Sequence, residues 1–315
     1  MLSLFKKNKS AGNLQEENAP DDGTLAHHGD SQFELSHVGP YEIVAPIGSG
    51  GMGTVYKAID RSRDLTIAIK VLDTRYDLDK QRRRRDYLGR EIQIAASLDH
   101  PNIIKMHKEI VIQTDRLGRK RRCLLMEYID GHNLKKHIND RDLTIQQMIS
   151  IITELCRGLD FLHQNHIVHR DIKPANFLFS RDGKKVKIVD FGLSKSTATW
   201  RMRWQKETGG TRIYMSPEQL AKKKLDVRSD IFSLGVTMYE LFAGQHPCGG
   251  KDAREIQRQL RDPRYRFDPP SKLNKNVTQG LDKVILKALR RKPEHRYQSV
   301  TELLLDLSRS TESRI

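Results

Sequence analysis

HRDIKPANFLF, running from His169 to Phe179, and VDFGLSK, running from Val189 to Lys195, decide how the rest of this chain is read. Between them they set Asp171, Lys173, Asn176 and Asp190 within a span of twenty residues. That set suits movement of the terminal phosphoryl group of ATP to a hydroxyl, a reaction in which a protein supplies positioning and charge neutralisation rather than covalent steps. Asp171 would accept the hydroxyl proton, and Lys173 would face the migrating group. Asn176 and Asp190 offer the oxygens that hard cations prefer, magnesium first and manganese as the alternative. A lone HRD or DFG tripeptide carries little, because a single aspartate is usually a solvated loop residue. The weight comes from further parts in the right order.

Upstream, IGSGGMGTVYKAID from Ile47 to Asp60 holds Gly48, Gly50 and Gly53, whose bare backbone can approach phosphates and donate amides to them. A dinucleotide-binding turn would need a helix to open at the last glycine. Thr54 to Ile59 instead reads as a strand, with Val55, Ala58 and Ile59 set among polar residues. Glycines that join two strands make a flap over a nucleotide. A third strand, Leu65 to Leu72, carries Lys70 in IAIK, placed to hold the α and β phosphates. An ammonium there needs a fixed partner, and Glu91, in a helix predicted over Gln81 to Leu98 and followed by LDHPNI, is the candidate.

With these runs in order, the chain resembles a eukaryotic-type (Hanks-type) Ser/Thr protein kinase of the bacterial branch over about Tyr41 to Leu307. The resemblance implies an α+β, two-lobed fold: a small β-rich lobe over about 41–127 and a larger helical lobe over about 130–307. ATP would lie between them against a hinge at Glu127 to Ile129. Ile47, Gly48, Ser49, Gly50, Gly51, Met52 and Gly53 would cover the nucleotide, and Val55, Ala68 and Lys70 would flank it. Met126 would gate the back of the pocket, with Glu127 and Ile129 beside it and Leu178, Asn176 and Asp190 beneath. Catalysis would fall to Asp171, Lys173, Lys70 and Glu91, and metal binding to Asn176 and Asp190.

The same likeness pairs Glu218 with Arg296, makes Asp230 the anchor beneath the catalytic loop, and sets Thr211 against the catalytic aspartate and lysine. Lys173 and Thr211 imply serine or threonine as acceptor. Relatives that read an arginine before the acceptor commonly carry acids where this chain has Asn133 and Ala175, so that preference is not expected. Ala95 stands where a bulky side chain usually joins His169 and Phe191 in a column between the lobes. Arg170 and Lys195 would form a basic pocket for an activation-segment anion, with Glu207 supplying one charge and Thr208 the expected phosphorylation site.

Helical periodicity is independent of the likeness. Thr144 to Asn165 has apolar residues three or four apart, from Ile145 to Leu162, behind a capping box of Thr144 and Gln147. Ser299 to Leu307 opens in the same way with Ser299 and Glu302. A length of 315 residues fits one such domain with short extensions. Residues 1 to about 38 read as a disordered polar tail, and 308–315 as a short C-terminal one. No apolar run approaches the roughly eighteen residues of a membrane span and residue 2 is not glycine, which points to the cytoplasm. Cys123, Cys156 and Cys248 lie far apart and read as reduced packing residues. The formal charge of +16 invites a nucleic-acid reading, with Arg82 to Arg85 and Arg119 to Arg122 as its strongest runs. The second run is expected in a loop between strands, and neither is studded with aromatics, so nucleic acid is disfavoured. Protein substrates, with acidic partners at basic faces, are the partners expected.

Overall fold

The structure is a computed structural model that describes residues 35–50, 53–73, 92–115, 118–191, 212–249, 253–262 and 264–312. Its first part is a six-stranded antiparallel sheet built from β1 (His37–Val38), β2 (Tyr41–Gly50), β3 (Gly53–Asp60), β4 (Leu65–Leu72), β5 (Met106–Thr114) and β6 (Lys120–Glu127), in the order β1-β2-β3-β4-β6-β5. Along β3 the side chains alternate, with Tyr56, Ala58 and Asp60 turned inward, as a strand with one covered face requires. Central β4 is buried from Ile67 to Leu72, matching its unbroken IAIKVL run. The sheet begins at His37, and Val38 is wholly buried opposite Tyr41.

Residues 92–97 are helical, and the chain reaches the second part through the hinge after β6. A small sheet of β7 (Gly131–Asn133), β8 (Phe177–Ser180) and β9 (Val186–Ile188) lies there, with helices beyond it. Gly131 has to be glycine for this pairing, because a β-carbon would sit 2.1 Å from the Phe179 carbonyl oxygen. The Ile145–Gln164 helix starts as its sequence says, with Thr144 and Gln147 capping each other and Ile152, Leu155, Cys156, Leu159 and Leu162 buried along one face. The Val227–Ala243 helix is buried on all sides from Ser229 to Phe242 and forms the axis of the lobe. Each large apolar side chain buried there contributes about 1.5–3 kcal/mol. Gly235 lets the Gln279–Ala288 helix close in, since a β-carbon would lie 2.9 Å from Ala288 Cβ.

Two details depart from expectation. The last helix runs Val300–Glu312, longer than its apolar pattern, and while Ser299 accepts from the Glu302 N–H, Glu302 reaches back to the Gln298 N–H rather than to Ser299. The Arg119 to Arg122 run is not a loop either: all but Arg119 lies in β6, with Arg121 paired across to Gln113. Arg119 and Arg121 both bind the Asp115 carboxylate, whose side chain is fully buried, at 2.7 and 3.2 Å. Part of their charge is offset inside a hairpin.

Candidate active site

The site is built outward from one buried carboxylate. Asp230, in the first turn of the Val227–Ala243 helix, accepts the N–H of His169 at 2.7 Å and of Arg170 at 2.8 Å, and lies 2.9 Å from His163 Nε2. These contacts hold Arg170 at φ 66°, a conformation that costs a side-chain-bearing residue about 1–3 kcal/mol and persists only when its surroundings impose it. His169 is fully buried, its Nε2 3.1 Å from the Val189 carbonyl and its Nδ1 accepting the Asp171 N–H at 3.3 Å. One imidazole thus ties the HRD run to the strand entering DFG.

Asn176 donates through Nδ2 to the Asp171 carbonyl at 2.7 Å and to Asp171 Oδ2 at 2.6 Å, while Lys173 Nζ lies 3.2 Å from the same Oδ2. The Val189 N–H donates to the Asn176 carbonyl at 3.0 Å, which joins this cluster to Asp190. Asp190, also at positive φ (61°), binds Lys70 Nζ through Oδ1 at 2.6 Å across 120 residues of sequence. The lysine side chain is 5% exposed and the aspartate 31%, so the pair lies at the wall of a cleft with its carboxylate turned toward solvent.

The glycine-rich segment separates by role. Gly50 pairs with Gly53 across the β2–β3 hairpin, and Gly53, at φ +140°, would push a β-carbon to 2.0 Å from the Val71 carbonyl oxygen. The fold itself demands that glycine. At Gly48 and Gly50 a β-carbon would meet nothing within 4 Å among the described residues, so packing there does not ask for glycine. Ile47 is half exposed, Ser49 pairs with Thr54, half-buried Val55 lies opposite Lys70, and buried Ala68 lies opposite buried Met126. Ile129 is buried, and half-buried Leu178 lies opposite Asn133 in the small sheet.

Fit to a divalent cation can be judged from the donors. Because the Asn176 amide nitrogen is committed to Asp171, its side-chain oxygen is the atom suited to a hard cation, as is the carboxylate of Asp190. Among the described residues no three His, Cys, Asp or Glu side chains are arranged to hold a metal by themselves. Two protein oxygens match a magnesium ion that takes its remaining ligands from phosphate and water.

Beside the cleft, Ser216 and Gln219 form a reciprocal capping box at the short Pro217–Leu220 helix, and Gln219 Nε2 donates to the Arg170 carbonyl at 2.9 Å. Glu218 of that helix receives a two-point contact from Arg296, Nη1 to Oε1 at 2.7 Å and Nη2 to Oε2 at 2.8 Å. Burial pushes the Glu218 carboxyl up, but the Arg296 guanidinium and the Ser229 hydroxyl outweigh it and hold the group below its ordinary value.

Residues 41–306 match the family model of the protein kinase domain. The chain belongs to the protein kinase family. This kinase domain is 37% identical over 273 residues to serine/threonine-protein kinase PknB of Mycobacterium leprae, covering 85% of this chain and 42% of that protein. It is 34% identical to serine/threonine-protein kinase PrkC of Bacillus subtilis, covering 85% of this chain and 40% of that one. The chain therefore spans about two-fifths of the length of these curated relatives. Among solved structures, the kinase domain of Mycobacterium tuberculosis PknI superposes with a TM-score of 0.63 at 28% identity, over 87% of this chain and 97% of that one.

Gly51, Met52, Glu91, Lys195, Glu207, Thr208, Thr211 and the Arg82 to Arg85 run lie outside the described residues of the kinase domain. Three contributors were not read from the sequence. Lys187 of β9, 8% exposed, lies 2.7 Å from Glu127 Oε1 and donates to the Ile103 carbonyl at 3.1 Å, tying the hinge to the strand that leads to Asp190. Its signal was a lysine inside the apolar VKIV run. His163 supports Asp230, and Gln219 supports Arg170; neither leaves a local pattern, apart from the S-P-E-Q spacing of the capping box. Asn133 caps the Leu134–Asp140 helix, its Oδ1 taking the Lys136 N–H at 3.1 Å. Ala95, His169 and Phe191 are all buried, as are the three cysteines, whose thiols burial pushes up, Cys123 and Cys248 to about 12. Among the described residues, no helix is long and apolar enough to cross a membrane.

Proposed function

We propose that this chain is an ATP-dependent protein serine/threonine kinase, acting on serine and threonine hydroxyls of protein substrates in the cytoplasm and autophosphorylating its activation segment. The observation that carries the reading is the convergence on one cleft of Lys70 with Asp190 and of Asp171 with Lys173 and Asn176. In this reading Lys70, fixed by Asp190, meets the α and β phosphates, and the backbone from Gly48 to Gly53 covers them. Met126, Glu127, Ile129, Ala68, Val55 and Leu178 enclose the base. Asp171 takes up the acceptor hydroxyl's proton as attack begins, with Asn176 fixing its carboxylate and Lys173 neutralising charge on the transferred group. Asn176 and Asp190 hold magnesium, or manganese in its place, which neutralises phosphate charge. Glu91 is assigned as a second partner of Lys70.

The test is transfer of label from γ-labelled ATP to a mixed protein substrate by the parent and by Asp190→Asn. Loss of one strong electrostatic element costs roughly a hundredfold in rate. The variant should lose at least that much while keeping its circular dichroism spectrum and a cooperative melt, lowered by the loss of the counter-charge to Lys70. Turnover within about threefold of the parent would defeat the assignment.

A further inference from the structure

The Ala253–Arg261 helix carries a pattern that its packing does not explain. Ile256 and Leu260 are buried and fasten it to the large lobe. Arg254, Arg258 and Arg261 are exposed, spaced four and three apart, and at 100° per residue they form one stripe turned directly away from Ile256 and Leu260. The stripe continues beyond the helix in exposed Arg264 and Arg266. Over 253–266 five arginines stand against Glu255 and Asp262; the Arg258 guanidinium lies 3.7 Å from Glu255 and that of Arg264 3.7 Å from Asp262, which also accepts the Arg264 N–H at 2.9 Å. Like charges three and four residues apart destabilise a helix, and solubility is served as well by interspersed signs. The excess of positive charge along this exposed face is therefore more than helix stability or solubility calls for.

Position gives the stripe a use. The helix packs against residues 212–214 and against Pro217–Leu220, and Gln219 of the latter is bonded to the carbonyl of Arg170, next to Asp171. A polypeptide that lies on the stripe thus has its flanking residues within reach of the catalytic carboxylate. We propose that this arginine face is a docking surface for an acidic, glutamate- and aspartate-rich segment of the protein substrate, lying apart from the residue that accepts the phosphate. The proposal rests on the kinase reading for its benefit, but the binding does not. Exposed guanidiniums give little individually; together they raise the local concentration of an acidic chain and its encounter rate, and tethering converts that into a lower KM. Nucleic acid fits less well, because the neighbouring rings are engaged: the Tyr265 hydroxyl donates to the Cys248 carbonyl at 3.1 Å, and Phe267 is covered by the Arg291 guanidinium at 5.4 Å.

The experiment compares two serine acceptor peptides that share a flexible spacer of about ten residues and end in six glutamates or six glutamines. With the parent, the glutamate-tailed peptide should show a KM about tenfold lower at equal kcat, an advantage that fades with added salt. In Arg254→Glu/Arg258→Glu/Arg261→Glu the advantage should vanish while the glutamine-tailed peptide is phosphorylated as before; Arg258→Gln alone should remove about half of it on a logarithmic scale. Retention of the advantage in the triple variant, or its absence in the parent, overturns the proposal. Anisotropy of a dye-labelled hexaglutamate peptide tests binding without catalysis. Salt-sensitive binding that the triple variant loses upholds the surface even if the parent phosphorylates neither peptide, a result that would count against the kinase reading alone. Tighter binding by the parent of a single-stranded oligothymidylate of equal charge overturns the choice of partner.

Discussion

Replacing Arg296 by methionine keeps the bulk of the side chain and deletes a guanidinium with no exposed surface. In the parent its nitrogens bind Glu218 twice and donate to the carbonyls of Arg290 at 2.6 Å, Arg228 at 2.8 Å and Arg291 at 2.8 Å, and its plane lies 4.9 Å from the centre of the Phe232 ring. Methionine leaves the Glu218 carboxylate, 10% exposed, without its counter-charge and those three carbonyls without their donor. Removing one member of a buried pair costs about 3–5 kcal/mol, and a domain of this size loses about 2–4 °C of Tm per kcal/mol, so melting should fall by on the order of 10 °C. The pH dependence gives a second, sharper readout. In the parent, Glu218 lies below its ordinary 4.5, so its contribution is complete above that value and is lost as pH falls through the folded pKa. In the variant, burial is opposed by the Ser229 hydroxyl but no longer by a guanidinium and moves the carboxyl upward relative to the parent, so the charged form is penalised most near neutrality. The deficit between variant and parent should therefore be largest near pH 7 and shrink toward about pH 4. Urea denaturation followed by circular dichroism at both pH values measures it, and Glu218→Gln in the Arg296→Met background should recover part of the loss. A deficit below about 1 kcal/mol near neutrality, or one unchanged on acidification, would refute the reasoning.

The glycines give a paired test. Gly53→Ala should cost on the order of 2–4 kcal/mol of stability through its clash with Val71, whereas Gly50→Ala should melt within a degree or two of the parent and raise the KM for ATP several-fold; equal effects at both positions would reject the division of roles. Lys187→Met should raise the KM for ATP more than that for an acceptor peptide, with partial recovery in Glu127→Gln/Lys187→Met, and a loss confined to kcat would show that this pair does not position the hinge. Phosphate should appear on serine or threonine, and arginine two or three residues before the acceptor should bring little gain, because Asn133 spends its side chain on a helix cap and Ala175 has no charge to offer. Mainly phosphotyrosine on acid hydrolysis, or a strong arginine preference in a peptide library, would overturn that expectation.

What the sequence determined by itself was whatever short-range chemistry could specify. The capping box of Thr144 and Gln147, the 3.6-residue period behind it, and the identity of Asp171, Lys173, Asn176 and Asp190 are all local, because each depends on residues a few positions apart. The strand carrying Lys70 was equally legible, since Leu65–Leu72 is apolar apart from Thr66 and Lys70 and rich in β-branched residues. Tertiary structure alone decided which distant groups meet. Nothing near Lys70 announces that Asp190 will lie 2.6 Å away, and nothing near Glu127 announces Lys187. Identical residue types also took opposite fates by position. Arg119 and Arg121 turned inward to a buried aspartate while Arg254, Arg258 and Arg261 turned outward; Gly53 answers to a carbonyl of β4 while a β-carbon at Gly50 would meet nothing among the described residues. The physical reason is that burial and charge pairing are set by what the folded chain brings within a few ångströms, and that follows from strand order and helix packing rather than from neighbours in sequence.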